Sequence, residues 1–178
     1  MNNTSSNQKT KLKWWQMALI SVAVSILGGL SGGNISSRKQ RRYYTGLKQA
    51  PWAPPGWVFG PAWMINNFFL LMGLKRLLAD NSIKGKGRIL LVQAAIWTIF
   101  FTFNHVYFRK KSPILAAIWT NADMVLALAG FILTFKKDKL ASLSYLPLLG
   151  WTGFASSVAD YQALTNSDQY MKTKALLN

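Results

Sequence analysis

Lys and Arg are missing from five long windows of this chain, 14–37, 49–74, 89–108, 112–135 and 140–171, and crowd the short intervals between them. A hydrocarbon core about 30 Å thick takes roughly 20 helical residues. Each window is at least that long and rich in Leu, Ile, Val, Ala, Phe and Trp. Within a bilayer only helices and closed barrels satisfy the backbone, and the windows lack the strict alternation of barrel strands. The expected fold is therefore all-α: a five-transmembrane-helix bundle in an integral, multi-pass membrane protein. A net charge of +16, from 21 Lys+Arg against 5 Asp+Glu, resembles that of a nucleic-acid binder. A soluble binder, however, would spread its charges along amphipathic faces. Charge gathered in blocks marks membrane boundaries, so membrane lipid rather than nucleic acid is the expected partner.

The same composition removes several chemistries. With Cys 0 there is no disulfide framework, thiolate metal site or cysteine nucleophile. One His and no Glu leave too few ligands for a protein-built transition-metal site. No cofactor is required by the residues present. A Ser-His-Asp arrangement has only His105 to draw on and needs independent support.

Residues 1–13 are polar, rich in Asn, Ser, Thr and Lys, and read as a disordered N-terminal tail. The apolar run that follows exceeds a typical signal-peptide core, so it is read as an uncleaved first helix. The membrane domain spans 14–164, with crossings near 15–33, 57–78, 89–108, 113–135 and 141–164. The stretch 34–56, holding Pro51, Pro54 and Pro55, reads as a long loop because proline lacks an amide donor and restricts its predecessor. Residues 165–178 form a polar tail. The two faces hold eleven and ten basic residues, so the positive-inside rule gives no orientation.

Folding each hairpin about its loop at about 1.5 Å of rise per residue puts His105 and Asp160 in one layer, with Trp63, Asn104 and Trp119 within about a turn. They could pair, or Asp160 could face headgroup water while His105 merely packs. Asp123 lies deeper, level with Thr98, Asn66, Asn67 and Thr152. An ionisable group there suggests function by default. A polar staple between helices is the reading preferred over a proton or ion relay. Of the eight tryptophans, interfacial belts account for Trp14, Trp15, Trp57 and Trp52. Trp63, Trp97, Trp119 and Trp151 lie inside crossings, where flat rings suit a large flat apolar ligand or simply fill the core. Basic residues in the first loop would complement ligand carboxylates. Gly28, Gly29, Gly32 and Gly33, with Ala155 and Ala159, make small-residue faces; these serve packing within one chain or a homodimer, the latter modestly favoured. Leu164, Tyr170 and Lys172 fit a loose sterol pattern that lies partly beyond the membrane.

The run Trp52-Ala53-Pro54-Pro55-Gly56-Trp57-Val58-Phe59-Gly60-Pro61-Ala62-Trp63 closely resembles the signature of the tryptophan-rich sensory protein family, also called the translocator protein or peripheral benzodiazepine receptor family. Pro147-Leu148-Leu149-Gly150-Trp151, with Phe154, Ala155 and Asn166, is similar to its helix-five motif. The resemblance implies a five-helix, commonly dimeric membrane protein that binds tetrapyrroles such as protoporphyrin and haem, or sterols, under the first loop. By position, Trp52 would belong to the loop over the pocket, Trp63 to the helix-two wall, and Trp151, Phe154 and Ala155 to the helix-five wall. The chain departs from the pattern at Gln49-Ala50, Asn66-Asn67, Leu148, Val158-Ala159, Phe100 and Phe103, and Tyr107 with Phe108 stand for the family's Phe-Phe pair. Several of the family's polar pocket groups are thereby lost.

The leading expectation is a receptor, sensor or carrier for a small hydrophobic ligand, with porphyrin or haem as the bound group. Trp52, Trp57, Trp63, His105, Trp119, Trp151, Phe154, Ala155 and Asp160 would line the site, and Asn66, Asn67 and Asp123 would be intramembrane polar groups. The alternatives are a photo-oxidative porphyrin-degrading enzyme, which the resemblance also implies, and a structural or regulatory subunit that has lost its ligand.

Overall fold

The computed structural model describes residues 12–31 and 38–177. Helices account for most of them: α1 (Trp14–Leu30), α2 (Arg38–Gly46), α3 (Phe59–Ala79), α4 (Lys86–Asn104), α5 (Pro113–Phe135), α6 (Lys139–Leu143) and α7 (Leu146–Thr165). A 3₁₀ turn at Gly56–Val58 leads into α3, and a single π turn, His105–Arg109, ends α4. Among the described residues the only β pairing is the isolated bridge Asp168–Thr173. Three helical stretches, Gly56–Ala79, Lys86–Arg109 and Pro113–Phe135, are long and apolar enough to cross a bilayer. The apolar α1 is shorter, with 17 described residues.

The long helices form a closed ring in which α1 touches α3 and α4, α3 touches α7, and α5 touches both α7 and α4. Leu70, Ile96, Ala127, Tyr145 and Leu148 meet at its centre. Outward, Leu91 is 71% exposed, Val125 60% and Ile132 61%, an apolar exterior that suits lipid. In lipid no hydrophobic force drives helices together, so close packing and small residues must do so. Gly28 is buried beneath the Phe100 ring, where a Cβ would collide, and its carbonyl accepts from Asn104 Nδ2 at 3.1 Å. Its small surface is thus spent inside the chain, and Gly32 and Gly33 lie outside the described residues.

Contacts between helix ends reveal which ends lie together. Lys75 Nζ, near the end of α3, donates to the Leu12 carbonyl before α1. Arg76 clasps the Asp138 carboxylate through Nε at 3.1 Å and Nη2 at 3.1 Å. At the opposite end Lys48 N donates to Asn166 Oδ1 at 2.7 Å, and Lys110 Nζ sits 4.0 Å above the Tyr170 ring.

Three local features differ from expectation. The first loop contains helix α2, because its prolines lie at 51, 54 and 55, leaving 38–46 free to coil. The helix expected over 141–164 is not continuous: α6 stops at Leu143 and α7 begins at Leu146 with Pro147 in its first turn, where a missing amide costs least. The C-terminal segment is tied down as well. The buried Asp168 accepts from Ser112 Oγ at 2.5 Å, the Ile114 amide at 3.0 Å and the Met171 amide at 2.7 Å. Ser112 itself caps α5 by accepting from the Leu115 amide at 3.1 Å. The disorder expected for residues 1–13 falls mostly on 1–11, outside the described residues.

Candidate functional site

The run Trp57-Val58-Phe59-Gly60-Pro61-Ala62-Trp63 enters α3 through the 3₁₀ turn, with Pro61 in the helix's first turn. Helical spacing of four puts Phe59 and Trp63 on one face. The same spacing pairs Ile99 with Phe103 on α4 and Trp151 with Ala155 on α7, and a spacing of three pairs Thr120 with Asp123 on α5. These residues, with Thr152, enclose a cavity of about 30 Å³. The Phe59 and Trp151 rings meet edge to face with centroids 5.4 Å apart, and Trp63 leans on Phe100 at 5.1 Å. A larger, open cleft of about 420 Å³ runs along the far end of α5, past Phe131, Ile132, Leu133, Phe135 and Lys136.

Four of the candidate site and intramembrane polar residues thus converge, Trp63, Asp123, Trp151 and Ala155, and Thr152, placed level with Asp123 by depth, joins them. The others do not line the cavity. Trp52 is half exposed; its Nε1 donates to Ser157 Oγ at 3.1 Å and its ring meets Tyr161 edge on. Trp57 is 74% exposed. Trp119 Nε1 donates to Thr102 Oγ1 at 2.9 Å, and Phe154 faces outward from α7, 38% exposed. His105 sits in the π turn, while Asp160 accepts from Asn121 Nδ2 at 2.7 Å. The two share no ion pair among the described residues. Shared depth did not bring them together, because depth leaves helix rotation free.

The staple expected around Asp123 does not form. Asp123 is 1% exposed and neither carboxyl oxygen has a hydrogen-bond partner. Thr152 donates to its own helix at Leu148 O, 2.8 Å, and Thr98 does likewise at Ala94 O, 2.9 Å. Asn67 Nδ2 donates instead to Ser25 Oγ of α1 at 2.9 Å, and Asn66 Nδ2 is unpartnered. Trp151 Nε1, which the tryptophan count alone did not flag as unpaired, is also buried without an acceptor.

Above the cavity the first loop is fastened by polar side chains that sequence reading undervalued. Tyr107 OH donates to Gln162 Oε1 at 2.8 Å, and Gln162 Nε2 donates to Gln49 Oε1 at 2.7 Å. Gln49 Nε2 in turn donates to Tyr44 O at 2.6 Å, and Asn166 Nδ2 donates to Lys48 O at 3.0 Å. Helix α2 lies against this network, its Tyr43 ring 5.6 Å from Tyr107. Burial pushes the Tyr43 phenol up, and the charge of Asp168 adds to the effect. Gln49 occupies a position where the chain departs from the family pattern, so the departure itself builds the fastening. No spacing rule could have linked Gln49 to Gln162 across the fold. Among the described residues no cluster of three or more His, Asp or Glu is placed to hold a metal ion.

Comparison with known proteins agrees with this architecture. The chain is 27% identical over 150 residues to the tryptophan-rich protein TspO of Archaeoglobus fulgidus, covering 80% of this chain and 94% of that protein. It is 29% identical over 142 residues to the tryptophan-rich protein TspO of Chlorobaculum tepidum, covering 76% and 86%. The human translocator protein is 24% identical over 152 residues, covering 81% and 86%. The TspO/MBR family pattern matches residues 18–162, and with most of its length accounted for in this way the chain belongs to the TspO/MBR family of membrane proteins.

Proposed function

We propose that the protein is a receptor, sensor or carrier for a flat hydrophobic ligand of tetrapyrrole or sterol-like shape, held between α3, α4, α5 and α7 beneath the first loop. The supporting observation is the convergence of Phe59, Trp63, Phe103 and Trp151 on one cavity. Aromatic walls with few polar groups suit such a ligand. At about 30 Å³ the cavity holds a water molecule rather than a macrocycle, so binding requires these rings to swing aside and the loop to lift. Lys48 and the basic face of α2 are then available to ligand carboxylates.

We also propose five membrane crossings, formed by α1, α3, α4, α5 and α7. The paired helix ends support this, Leu12 with Lys75 and Arg76 with Asp138 on one face, Lys48 with Asn166 on the other. A homodimer would use faces other than Gly28 and Ala155, which are occupied within the chain. Titrating the detergent-solubilised protein with protoporphyrin while following tryptophan fluorescence tests the ligand reading. Saturable quenching that weakens roughly two- to tenfold in each of Trp63→Ala and Trp151→Ala is the expected result, given that stacking on an aromatic ring contributes about 0.5–1.5 kcal/mol beyond burial. Absence of saturation, or quenching indifferent to both substitutions, contradicts it. The small volume of the cavity favours one second reading, a structural or regulatory subunit. That reading predicts a fixed protein partner on isolation from native membrane and no small molecule.

A further inference from the structure

The open cleft of about 420 Å³ at the far end of α5 shares no residue with the aromatic cavity. Its lining is four apolar side chains, Phe131, Ile132, Leu133 and Phe135, and one cation, Lys136. The inner side is built into the bundle. Phe131 packs against the central cluster around Leu70 and Tyr145, and Leu133 against the cluster of Leu77, Ile83, Ile89 and Ala141. The Phe131 and Phe135 rings lie with centroids 5.4 Å apart. The outer side is open, for Ile132 and Phe135 are exposed, as are Val125 and Leu128 above them. Helical spacings of three and four place these exposed residues on one stripe that leads into the cleft. From Val125 to Lys136 the helix rises about 16 Å, about half of a hydrocarbon core roughly 30 Å thick. The stripe therefore has the depth of one bilayer leaflet, with the cation at its headgroup end.

Charge at that end is one-sided. Lys136, Lys137 and Lys139 surround a single acid in sequence, Asp138, and that carboxylate is already held by Arg76 at 3.1 Å and accepts from the Ala141 amide. Among the described residues this is the only ion pair, so no carboxylate answers Lys136. Lys137 reaches the loop between α3 and α4, its Nζ beside Gly85, and that loop carries Lys84 as well. An anionic phosphate complements such a rim, whereas a choline ammonium would meet cations and no unengaged acid at the cleft. The stripe also favours a lipid over a second helix. Helices pair in bilayers through small residues that let backbones approach, and Val125, Leu128, Ile132 and Phe135 are large. A second copy would bring a further net charge of +16 to a rim that is already basic.

We propose that this cleft binds one anionic phospholipid. One acyl chain lies along Val125, Leu128, Ile132 and Phe135, and Lys136 holds the phosphate with Lys137 and Lys139 nearby in the chain. The site is open as it stands and faces lipid on α5, a helix long and apolar enough to cross the bilayer. It selects by headgroup, which an ordinary surrounding lipid does not.

Native mass spectrometry of the full-length protein in detergent, titrated with phosphatidylglycerol and with phosphatidylcholine of identical chains, tests the proposal. Each basic residue near an anionic headgroup strengthens attraction roughly fivefold. The wild type should retain one phosphatidylglycerol per chain roughly fivefold or more tightly than phosphatidylcholine. Lys136→Gln should remove most of that preference, while Lys39→Gln, on α2 at the other end of the bundle, should leave it intact. Phe135→Ala should loosen both lipids roughly threefold without changing their ratio, and Ile132→Ala serves the same purpose if Phe135→Ala does not fold. Glycerophosphoglycerol, the same headgroup without chains, should not compete at equal concentration. Equal retention of the two lipids, a preference that survives Lys136→Gln, or one lowered as much by Lys39→Gln would overturn the site. Competition by the chainless headgroup would reduce it to a phosphate contact and overturn it too. A dimer mass that disappears in Phe135→Ala, with no lipid retained, would assign the cleft to a second copy instead.

Discussion

Gly73 and Gly150 show how differently the same residue type is used. Gly73 on α3 lies against Ser144 and the Ala141 carbonyl, where a Cβ would collide with the Ser144 side chain, while Gly150 on α7 has nothing within 4 Å. Gly73→Val should therefore destabilise by about 1–3 kcal/mol through overpacking. Gly150→Ala should stabilise by up to about 1 kcal/mol, because it removes backbone entropy from a helix interior. Thermal melts of the two variants in one detergent check this, and similar melting temperatures would refute the assignment of Gly73 to a tight crossing. The sequence makes small residues visible but not what covers them. Gly28 looked available to a partner and is covered by Phe100. His105 and Asp160 share depth yet diverge, since axial position follows from counting residues, whereas rotation depends on which neighbours pack alongside.

The junction of α6 and α7 is the least regular element and the most dependent on polar contacts. Asp138 caps α6 by accepting from the Ala141 amide at 3.0 Å and is gripped by Arg76 of α3. Desolvation pushes its carboxyl up, but the Ala141 amide and the Arg76 guanidinium together outweigh it and hold it below its ordinary value of 3.8. A depressed native pKa means that the folded state binds the proton less readily than the unfolded one. The stabilisation is present in full above the unfolded value and is lost as pH falls through the lower folded value. Melting temperature should thus drop as pH falls from about 5 toward 3, and Asp138→Asn should melt lower at neutral pH with a flatter acid limb. An acid limb unchanged by that substitution would show that Asp138 is not the group responsible. The element boundary near Pro113 could be read from proline chemistry, whereas the break before Pro147 was missed, because a proline in a helix's first turn and one inside a longer helix look alike in sequence. The docking of the C-terminal segment through Asp168 could not be read, because it depends on partners distant in sequence. Helix α2 was missed because the three prolines suggest an irregular loop throughout, although they lie beyond its end.

Across the whole molecule, the segregation of Lys and Arg was the most informative signal. It marked the ends of the long helices, because a cation in hydrocarbon is costly and one at the headgroups is not. It carried no orientation, since the two faces divide eleven to ten. With Cys 0, single-cysteine variants give unambiguous labelling. In sealed vesicles an impermeant maleimide should reach Lys84→Cys and Lys174→Cys from opposite sides, and labelling of both from one side would contradict five crossings. The aromatic wall was legible in part, Trp63 and Trp151 from motif and spacing, whereas Phe59 and Phe103 required the packed bundle to show that they share its cavity. The most direct test of a ligand-binding role is mass spectrometry of what co-purifies from native membrane with the wild type and with a Trp63→Ala, Trp151→Ala double variant. A flat polycyclic compound near one per chain in the wild type, lost from the double variant, is the predicted result. Phospholipid alone, in equal amount with both, would contradict it.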